Sequence, residues 1–332
     1  MISDKKIIEK ISELLKTSEN FVLAIVIDTW KSAPKPVGST LLLCENGEIS
    51  GSVSGGCVES AVITEAKISL DTKKSKILKF GITNEDAFNV GLACGGEITI
   101  LIEPIIKVQN IKRKLLESFF NNYFQGALSI YKICLKSSQR EVIADEKALN
   151  LLLNNKKNDK ESFKDKENFF YVLPPKNKMV IVGAVHIAQF LVELANQFNY
   201  EIIVIDPRST FANNHRFPDV EIIDDWPDDA FKKIKLDHDT AIVTLTHDPK
   251  IDDIALKLAL NCECFYIGSL GSKKTHEKRI NRLQEMGINQ KNIKRIHAPI
   301  GLDIGSKNPN EIALSIMAEI IKERRFYNSN QH

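Results

Sequence analysis

Two short stretches of this 332-residue chain bring glycine and cysteine together: GSVSGGC at residues 51–57 and GLACGG at residues 91–96. They hold six of only 16 glycines. Glycine serves where backbone must turn sharply or approach something closely. Adjacent glycines can also present their N–H groups as an anion nest. Gly55, Gly56 and Cys57 run directly into a helical pattern that begins at Val58, and Glu59 joins them as a binding candidate. A helix start favours negative charge and lowers the pKa of a thiol placed on it. Cys94, Gly95 and Gly96 repeat the combination. An anion-friendly backbone beside a thiol suits a ligand that is both anionic and sulfur- or metal-bearing. Each stretch alone also reads as a tight turn with a buried structural cysteine. The other thiols form no zinc spacing and no C-x-x-C. Cys262 and Cys264, two apart on an expected strand, read as core.

A second group of candidates lies further along. VIVGAVHIA at 180–188 has the layout of the dinucleotide fingerprint G-x-G-x-x-[GA]. Gly183 supplies the tight turn, Ala188 allows close helix–strand packing, and His186 sits in the loop itself. Asp206 follows at the distance expected of a ribose-binding acid, and Arg208 could pair with a phosphate. Val185 departs from the pattern: it puts a branched side chain where the second glycine admits a pyrophosphate. A third stretch, GSLGSKKTH at 268–276, follows an expected strand and opens a helix. Gly271, Lys273, Lys274 and the later Arg279 there could receive a phosphate, although the spacing is not that of a P-loop. In APIGLDIG, at 298–305, Asp303 could face a ligand or cap a turn. His247 is expected at the carboxyl edge of a strand, where α/β sheets bind ligands.

The elements that must position these residues are legible as periodicities. Ile7, Ile8, Ile11, Leu14 and Leu15 repeat at helical spacing. Residues 21–28 form a buried strand, followed by a loop with two prolines at 31–38. Asn46-Gly47 between two apolar runs predicts a hairpin. Residues 58–70 read as a helix, and 76–80 and 97–102 as strands. The stretch 154–168, NNKKNDKESFKDKEN, has Phe163 as its single apolar residue and reads as a solvated linker. Domains are therefore expected at 1–153 and 171–332, with the charged linker at 154–170. Beyond it, strands at 179–182, 201–206, 220–223, 240–245 and 264–267 alternate with helices, which implies a parallel sheet covered on both faces. Asn308-Pro309-Asn310-Glu311 carries the signals of a capped helix start.

Composition excludes several classes. Lys+Arg number 45 and Asp+Glu 43, so the net charge of +2 gives no field for nucleic acid or a membrane surface. No apolar run approaches the roughly 18 residues of a membrane span. The first ten residues lack the apolar core of a signal peptide. The expectation is a cytoplasmic protein with six reduced thiols.

These stretches together resemble the XdhC/CoxI family, the xanthine dehydrogenase accessory proteins. The resemblance rests on GSVSGGCVES, VGLACGGEITILIEP, VIVGAVHIAQFLVELA, VIDPRSTFANNHRFPD, FYIGSLGSKKTHEKR and APIGLDIGSKNPNEIALSIMAEI, and runs from about residue 22 to 325. It implies an α/β protein: an N-terminal XdhC/CoxI-type domain plus a C-terminal Rossmann-like parallel-sheet domain. The implied role is a maturation chaperone and not a catalyst. Such a protein binds the molybdenum cofactor (molybdopterin), protects it while a terminal sulfido ligand is installed, and delivers it to an apo molybdenum hydroxylase of the xanthine or carbon monoxide dehydrogenase type. A cysteine desulfurase is an implied partner, and a homodimer is the expected assembly. On this reading Cys57 and Cys94 contact molybdenum at one end of an interdomain cleft. The Gly183 loop or the Lys273 helix start then holds the phosphate. Two rivals stand beside it: an NAD(P)-binding oxidoreductase using Asp206 and Arg208, and a thiol-based sulfur carrier using Cys57 and Cys94.

Overall fold

The computed structural model describes residues 5–31, 33, 35–56, 58–81, 96–107, 110–137, 139–154 and 160–330. The chain divides into two compact units, Met1–Pro175 and Lys176–His332.

The first unit runs α1 (Lys5–Lys16), β1 (Phe21–Trp30), β2 (Thr40–Cys44), β3 (Ile49–Gly51), α2 (Glu59–Thr72), β4 (Lys76–Phe80) and β5 (Glu97–Ile105). It continues with α3 (Asn110–Phe124), β6 (Ser129–Cys134), β7 (Arg140–Ile143), α4 (Glu146–Asn154), β8 (Phe163–Lys164) and β9 (Asn168–Leu173). Two antiparallel sheets result, ordered β3-β2-β1-β5-β4 and β7-β6-β9-β8. The continuous apolar run of β1 has a simple cause: both of its faces are covered. Phe21, Leu23, Ile25 and Ile27 pack with α1, α3 and strands β6 and β9. Val22, Ala24 and Val26 pack with Val62 and Ala66 of α2. Each of the Phe, Leu, Ile and Val side chains contributes on the order of 1.5–3 kcal/mol by leaving water. The hairpin at Asn46-Gly47 forms as expected, with β2 and β3 antiparallel and Gly47 at φ +88°.

The expected linker at 154–170 is not where the units part. Its second half is sheet: β8 pairs with β9, and β9 pairs with β6 along its length. Phe163 stacks on Phe170 at 4.6 Å, so the single apolar residue of that polar stretch is claimed by its strand partner. The charged residues between them make a tight turn, in which Asp165 Oδ1 accepts from the N–H groups of Glu167 and Asn168. The boundary therefore falls at Pro175/Lys176.

The second unit runs β10 (Lys178–Val182), α5 (His186–Gln197), β11 (Glu201–Ile205), β12 (Glu221–Ile223), α6 (Pro227–Ala230), β13 (Thr240–Thr244), α7 (Pro249–Leu260) and β14 (Tyr266–Ser269). It ends with α8 (Lys273–Glu285), α9 (Gln290–Ile293), β15 (Ile296–His297) and α10 (Pro309–Asn330). Its six strands are all parallel, in the order β12-β11-β10-β13-β14-β15. That is the doubly wound order whose switch point lies between the first and fourth strands, here β10 and β13. One face packs on α5 and α10 through residues such as Leu191, Ile316 and Ile320. The other packs on α7 through Ile251, Ala255 and Leu256. The ligand candidates of this unit stand on the turns after β10, β11, β13 and β14, in the first two turns of the helices that follow them, or in the loop before α10. Cys262 and Cys264 differ from expectation: they precede β14 and do not lie in it. Arg295, donating to the carbonyls of Leu260, Cys262 and Cys264, holds that turn. Burial pushes the Cys264 thiol up to about 12.

Candidate functional site

In the first unit, the GSVSGG turn is organised around one carboxylate. Glu59 opens α2 and takes four donors from its own loop: Ser52 Oγ at 2.7 Å, the N–H of Ser54 at 2.8 Å, the Ser54 hydroxyl, and the N–H of Gly56 at 2.7 Å. Burial raises its carboxyl pKa, but the hydrogen bonds from Ser54, Ser52 and Gly56 outweigh this and hold it at about 2. Ser52 Oγ accepts from the N–H of Gly55, and Ser54 Oγ from that of Val58. The two N–H groups of the expected anion nest are thus used from within, that of Gly56 by Glu59 and that of Gly55 by Ser52. Gly55 and Gly56 adopt φ +75° and +120°, with nothing within 4 Å of an added Cβ. Their glycine identity answers to the backbone turn. Cys57, Cys94 and Gly95 lie outside the described residues. Gly96 is buried immediately before β5.

In the second unit, the fingerprint turn is built tightly. Gly183 has φ +115°, and a Cβ there would stand 2.8 Å from Thr246 Cγ2 and 3.0 Å from Thr246 N. This contact joins the turn after β10 to the turn after β13. Val185 stands at the residue before α5, with no side-chain capping bond, and packs against the core. His186 is exposed, 5.1 Å from the Phe190 ring.

Asp206 departs most from the expected role. It is 0% exposed. Its Oδ2 accepts from the N–H of Ala184 at 2.9 Å and from Arg208 Nη2 at 2.7 Å. Its Oδ1 accepts from the N–H of Arg208 at 3.0 Å and from Arg208 Nε at 2.8 Å. Four donors fill the carboxylate's roughly four lone-pair positions. No acceptor is left for a ribose hydroxyl, so the expected ribose acid is a brace between the turns after β10 and β11. Burial alone would raise its pKa; the Arg208 fork and the backbone N–H groups bring it below the ordinary carboxylate range. Arg208 donates Nε and Nη2 to Asp206, lies 4.6 Å over Phe211 and keeps a partly exposed side chain.

The turn after β14 carries the remaining candidates. Gly271, at φ +137°, packs so closely that a Cβ would meet Thr275 Cγ2 at 3.1 Å. Ser272 caps α8 by accepting from the N–H of Thr275. Beside it lies a cavity of about 310 Å³ between α7 and α8, lined by His247, Asp252, Ser272, Lys274, Thr275 and Arg279 among others. Lys273 is exposed, and the lysines of α8 that line this cavity are Lys274 and Lys278. Arg279 is 2% exposed and donates Nη2 to the Leu270 carbonyl at 2.8 Å, while its Nε and Nη1 have no partner. Asp252, also 2% exposed, accepts from the N–H and hydroxyl of Thr246 through Oδ1, while its Oδ2 has no partner. Burial raises the Asp252 pKa and lowers that of Arg279. Contacts therefore run without a break from Gly183 through Thr246 and Asp252 to the cavity. Asp252 is the residue that sequence reading missed. Its signal was faint: two adjacent acids in the first turns of an otherwise apolar helix. Asp303 is exposed and caps its own turn, accepting from the N–H of Gly305 at 3.4 Å.

Residues 179–320 match the model of the XdhC Rossmann domain, and residues 14–81 match that of the XdhC and CoxI family. The chain belongs to the XdhC/CoxI family. Among similar proteins, one from Escherichia coli K12 is named molybdenum cofactor insertion chaperone PaoD. It is 26% identical over 318 residues, covering 94% of this chain and 86% of that one. Another, from Bacillus subtilis 168, is named as a probable xanthine dehydrogenase subunit; it is 26% identical over 326 residues, covering 94% and 96%. A crystal structure from Bacillus halodurans, described as a xanthine dehydrogenase, superposes with a TM-score of 0.80 at 28% identity, covering 96% of this chain and 95% of that one. Among the described residues of this XdhC/CoxI chain, no group of His, Cys, Asp and Glu could hold a metal ion, and no helix is long and apolar enough to cross a membrane.

Proposed function

We propose that this protein is an accessory factor of molybdenum enzyme maturation. It holds the molybdenum cofactor as cargo, shields it while its terminal sulfido ligand is installed, and passes it to an apo hydroxylase of the xanthine dehydrogenase type. A cysteine desulfurase supplies the sulfur. The observation that carries the reading is the saturation of Asp206, which withdraws a doubly wound sheet from dinucleotide service. The carboxyl edge that such sheets use for ligands remains, with a cavity whose lining includes Lys274 and Lys278. The cargo's pterin ends in a phosphate, and those exposed cations suit it. Similarity over 94% of the chain to a protein named as an insertion chaperone supports the same class of role.

The test is co-expression with the enzymes of cofactor synthesis, then measurement of molybdenum and of pterin as its fluorescent oxidised form in the purified protein. The wild type carries both. A Cys57→Ala, Cys94→Ala double variant loses most of the molybdenum. Wild-type protein free of pterin would refute the reading, and unchanged loading of the double variant would remove the thiols from it.

A further inference from the structure

A cavity of about 1000 Å³ opens in the first unit, and its lining carries charge of one sign. Lys73, Lys74 and Lys76 line it from the turn before β4 and from the start of that strand, Lys112 from α3, and Lys136 and Arg140 from the β6–β7 turn and the start of β7. Among the described residues, no acid lines it. The carboxylates bonded to these cations are Glu65 on Lys76, Glu167 on Lys136, and Glu103 on both Lys112 and Arg140. With Lys73 left out of the count, five cations stand against three carboxylates. That excess equals the net charge of +2 of the whole chain, gathered at one place.

Glu103 fixes the walls. It is 1% exposed on β5, and it accepts from Ser75 Oγ at 3.0 Å, Lys112 Nζ at 2.7 Å and Arg140 Nη2 at 2.8 Å. Arg140 Nη1 donates onward to the carbonyls of Cys134, Ser137 and Gln139 and so holds the β6–β7 turn. One buried carboxylate thus ties the entry of β4, α3 and β7 together. A recess clasped in this way is preformed, and little ordering of the protein accompanies binding. The outer ion pairs are looser. The Lys76 and Lys136 side chains are 53% and 70% exposed. Surface pairs of that kind contribute little, so either lysine can turn to a carboxylate brought from outside.

Between the cations the lining is aliphatic, with Ile77, Leu101, Ile111 and Ile133. Ile111 is 77% exposed and Ile77 39%, while Leu101 and Ile133 are buried. The complement is a guest that combines negative charge with aliphatic surface. Nucleic acid fits poorly, because no aromatic ring among the described residues lines the cavity as a platform for bases. A bilayer fits poorly, because a recessed aliphatic floor has nothing to insert. One compact anion fits poorly, because the cations are spread over three elements around a volume at the top of the small-molecule range. We infer that this cavity docks a segment of a partner protein that bears both acidic and aliphatic side chains. The inference goes beyond the cofactor reading. Its experiment uses neither cofactor nor hydroxylase, so each can fail alone.

Fluorescence anisotropy on the full chain tests it, with a short fluorescein-labelled peptide that alternates Glu with Leu. The wild type binds this peptide with a micromolar Kd, and binds a peptide alternating Glu with Ser at least about tenfold more weakly. Lys74→Glu combined with Lys136→Glu weakens binding at least about tenfold at an unchanged unfolding temperature. Ile111→Ser, also at an exposed side chain, weakens it about fivefold. Lys257→Glu combined with Lys291→Glu makes the same charge change on exposed side chains of the second unit and leaves the affinity within about twofold. No wild-type binding, equal affinity for the Glu–Ser peptide, or equal losses from the two double variants would each overturn the inference. Tighter binding of fluorescein-labelled oligothymidine, or of phosphatidylserine vesicles, would assign the cavity to nucleic acid or to a membrane and overturn it as well. So would a dimer in sedimentation velocity that the Lys74→Glu, Lys136→Glu variant dissolves, since the occupant would then be a second copy of this chain.

Discussion

Replacing Asp206 by Asn separates a brace from a ligand residue. The two side chains have nearly the same volume, so the change is electrostatic. Asp206 accepts four hydrogen bonds at 2.7–3.0 Å while fully buried. Asn keeps one acceptor oxygen and turns an N–H₂ toward groups that are themselves donors. Breaking a buried pair by removing one partner costs about 3–5 kcal/mol when the survivor is trapped. Here the Arg208 side chain is 38% exposed and can swing to water, which relieves part of the cost. The N–H of Ala184 cannot, because Ala184 is 0% exposed. A stranded buried N–H costs about 1–3 kcal/mol. The expected loss is therefore about 2–3 kcal/mol. For a unit the length of Lys176–His332, at roughly 2–4 °C per kcal/mol, the calorimetric Tm should fall by about 4–12 °C. NADH fluorescence, titrated into wild type and variant in parallel, should show no binding below millimolar concentration in either. A Tm within 1 °C of wild type, together with NADH binding that the substitution abolishes, would refute the brace and restore Asp206 as a ribose acid.

Two further outcomes follow from the same geometry. Gly183→Ala should cost about 2–4 kcal/mol in urea unfolding, because its Cβ meets Thr246 Cγ2 at 2.8 Å in addition to the φ of +115°; Gly47→Ala, with nothing within 4 Å at φ +88°, should cost only about 1 kcal/mol, and equal losses would show that the Gly183 turn is not tightly packed. Glu59 has its folded-state carboxyl at about 2, below its ordinary 4.5; its contribution is complete above about pH 4.5 and is lost as pH falls through about 2, so Glu59→Gln should destabilise by about 1–2 kcal/mol at pH 7, allowing for partial exposure, with the gap to wild type closing between pH 4.5 and 2, and a gap independent of pH would show that the loop does not hold an ionised carboxylate.

Local periodicity and spacing were enough for much of this molecule. The capping signals at 308–311 produced the bonds they predict: Asn308 Oδ1 accepts from the N–H of Glu311, whose carboxylate accepts from the N–H groups of Lys307 and Asn308. The strand expected at 21–28, the Asn46-Gly47 hairpin and the alternation of strands and helices from 179 onward were legible because each depends on residues a few positions apart. The family resemblance rested on motifs of the same kind. The boundary between units was misplaced because residues 154–168 are polar in composition, yet Phe163 finds Phe170 only once a strand has turned back.

What only the tertiary structure decided is which polar group satisfies which. By spacing, Asp206 was a ribose acid and Gly56 an anion donor. In the fold, Asp206 is consumed by Ala184, 22 residues before it, and by Arg208, and the Gly56 N–H is consumed by Glu59. Glu103 carried no signal in the sequence, and the fold brings Ser75, Lys112 and Arg140 to it. A pattern of residue types fixes backbone periodicity through nearby sterics. A polar atom's availability depends on which distant donors come within about 3 Å and on how much water is excluded around it, and those are properties of the assembled interior.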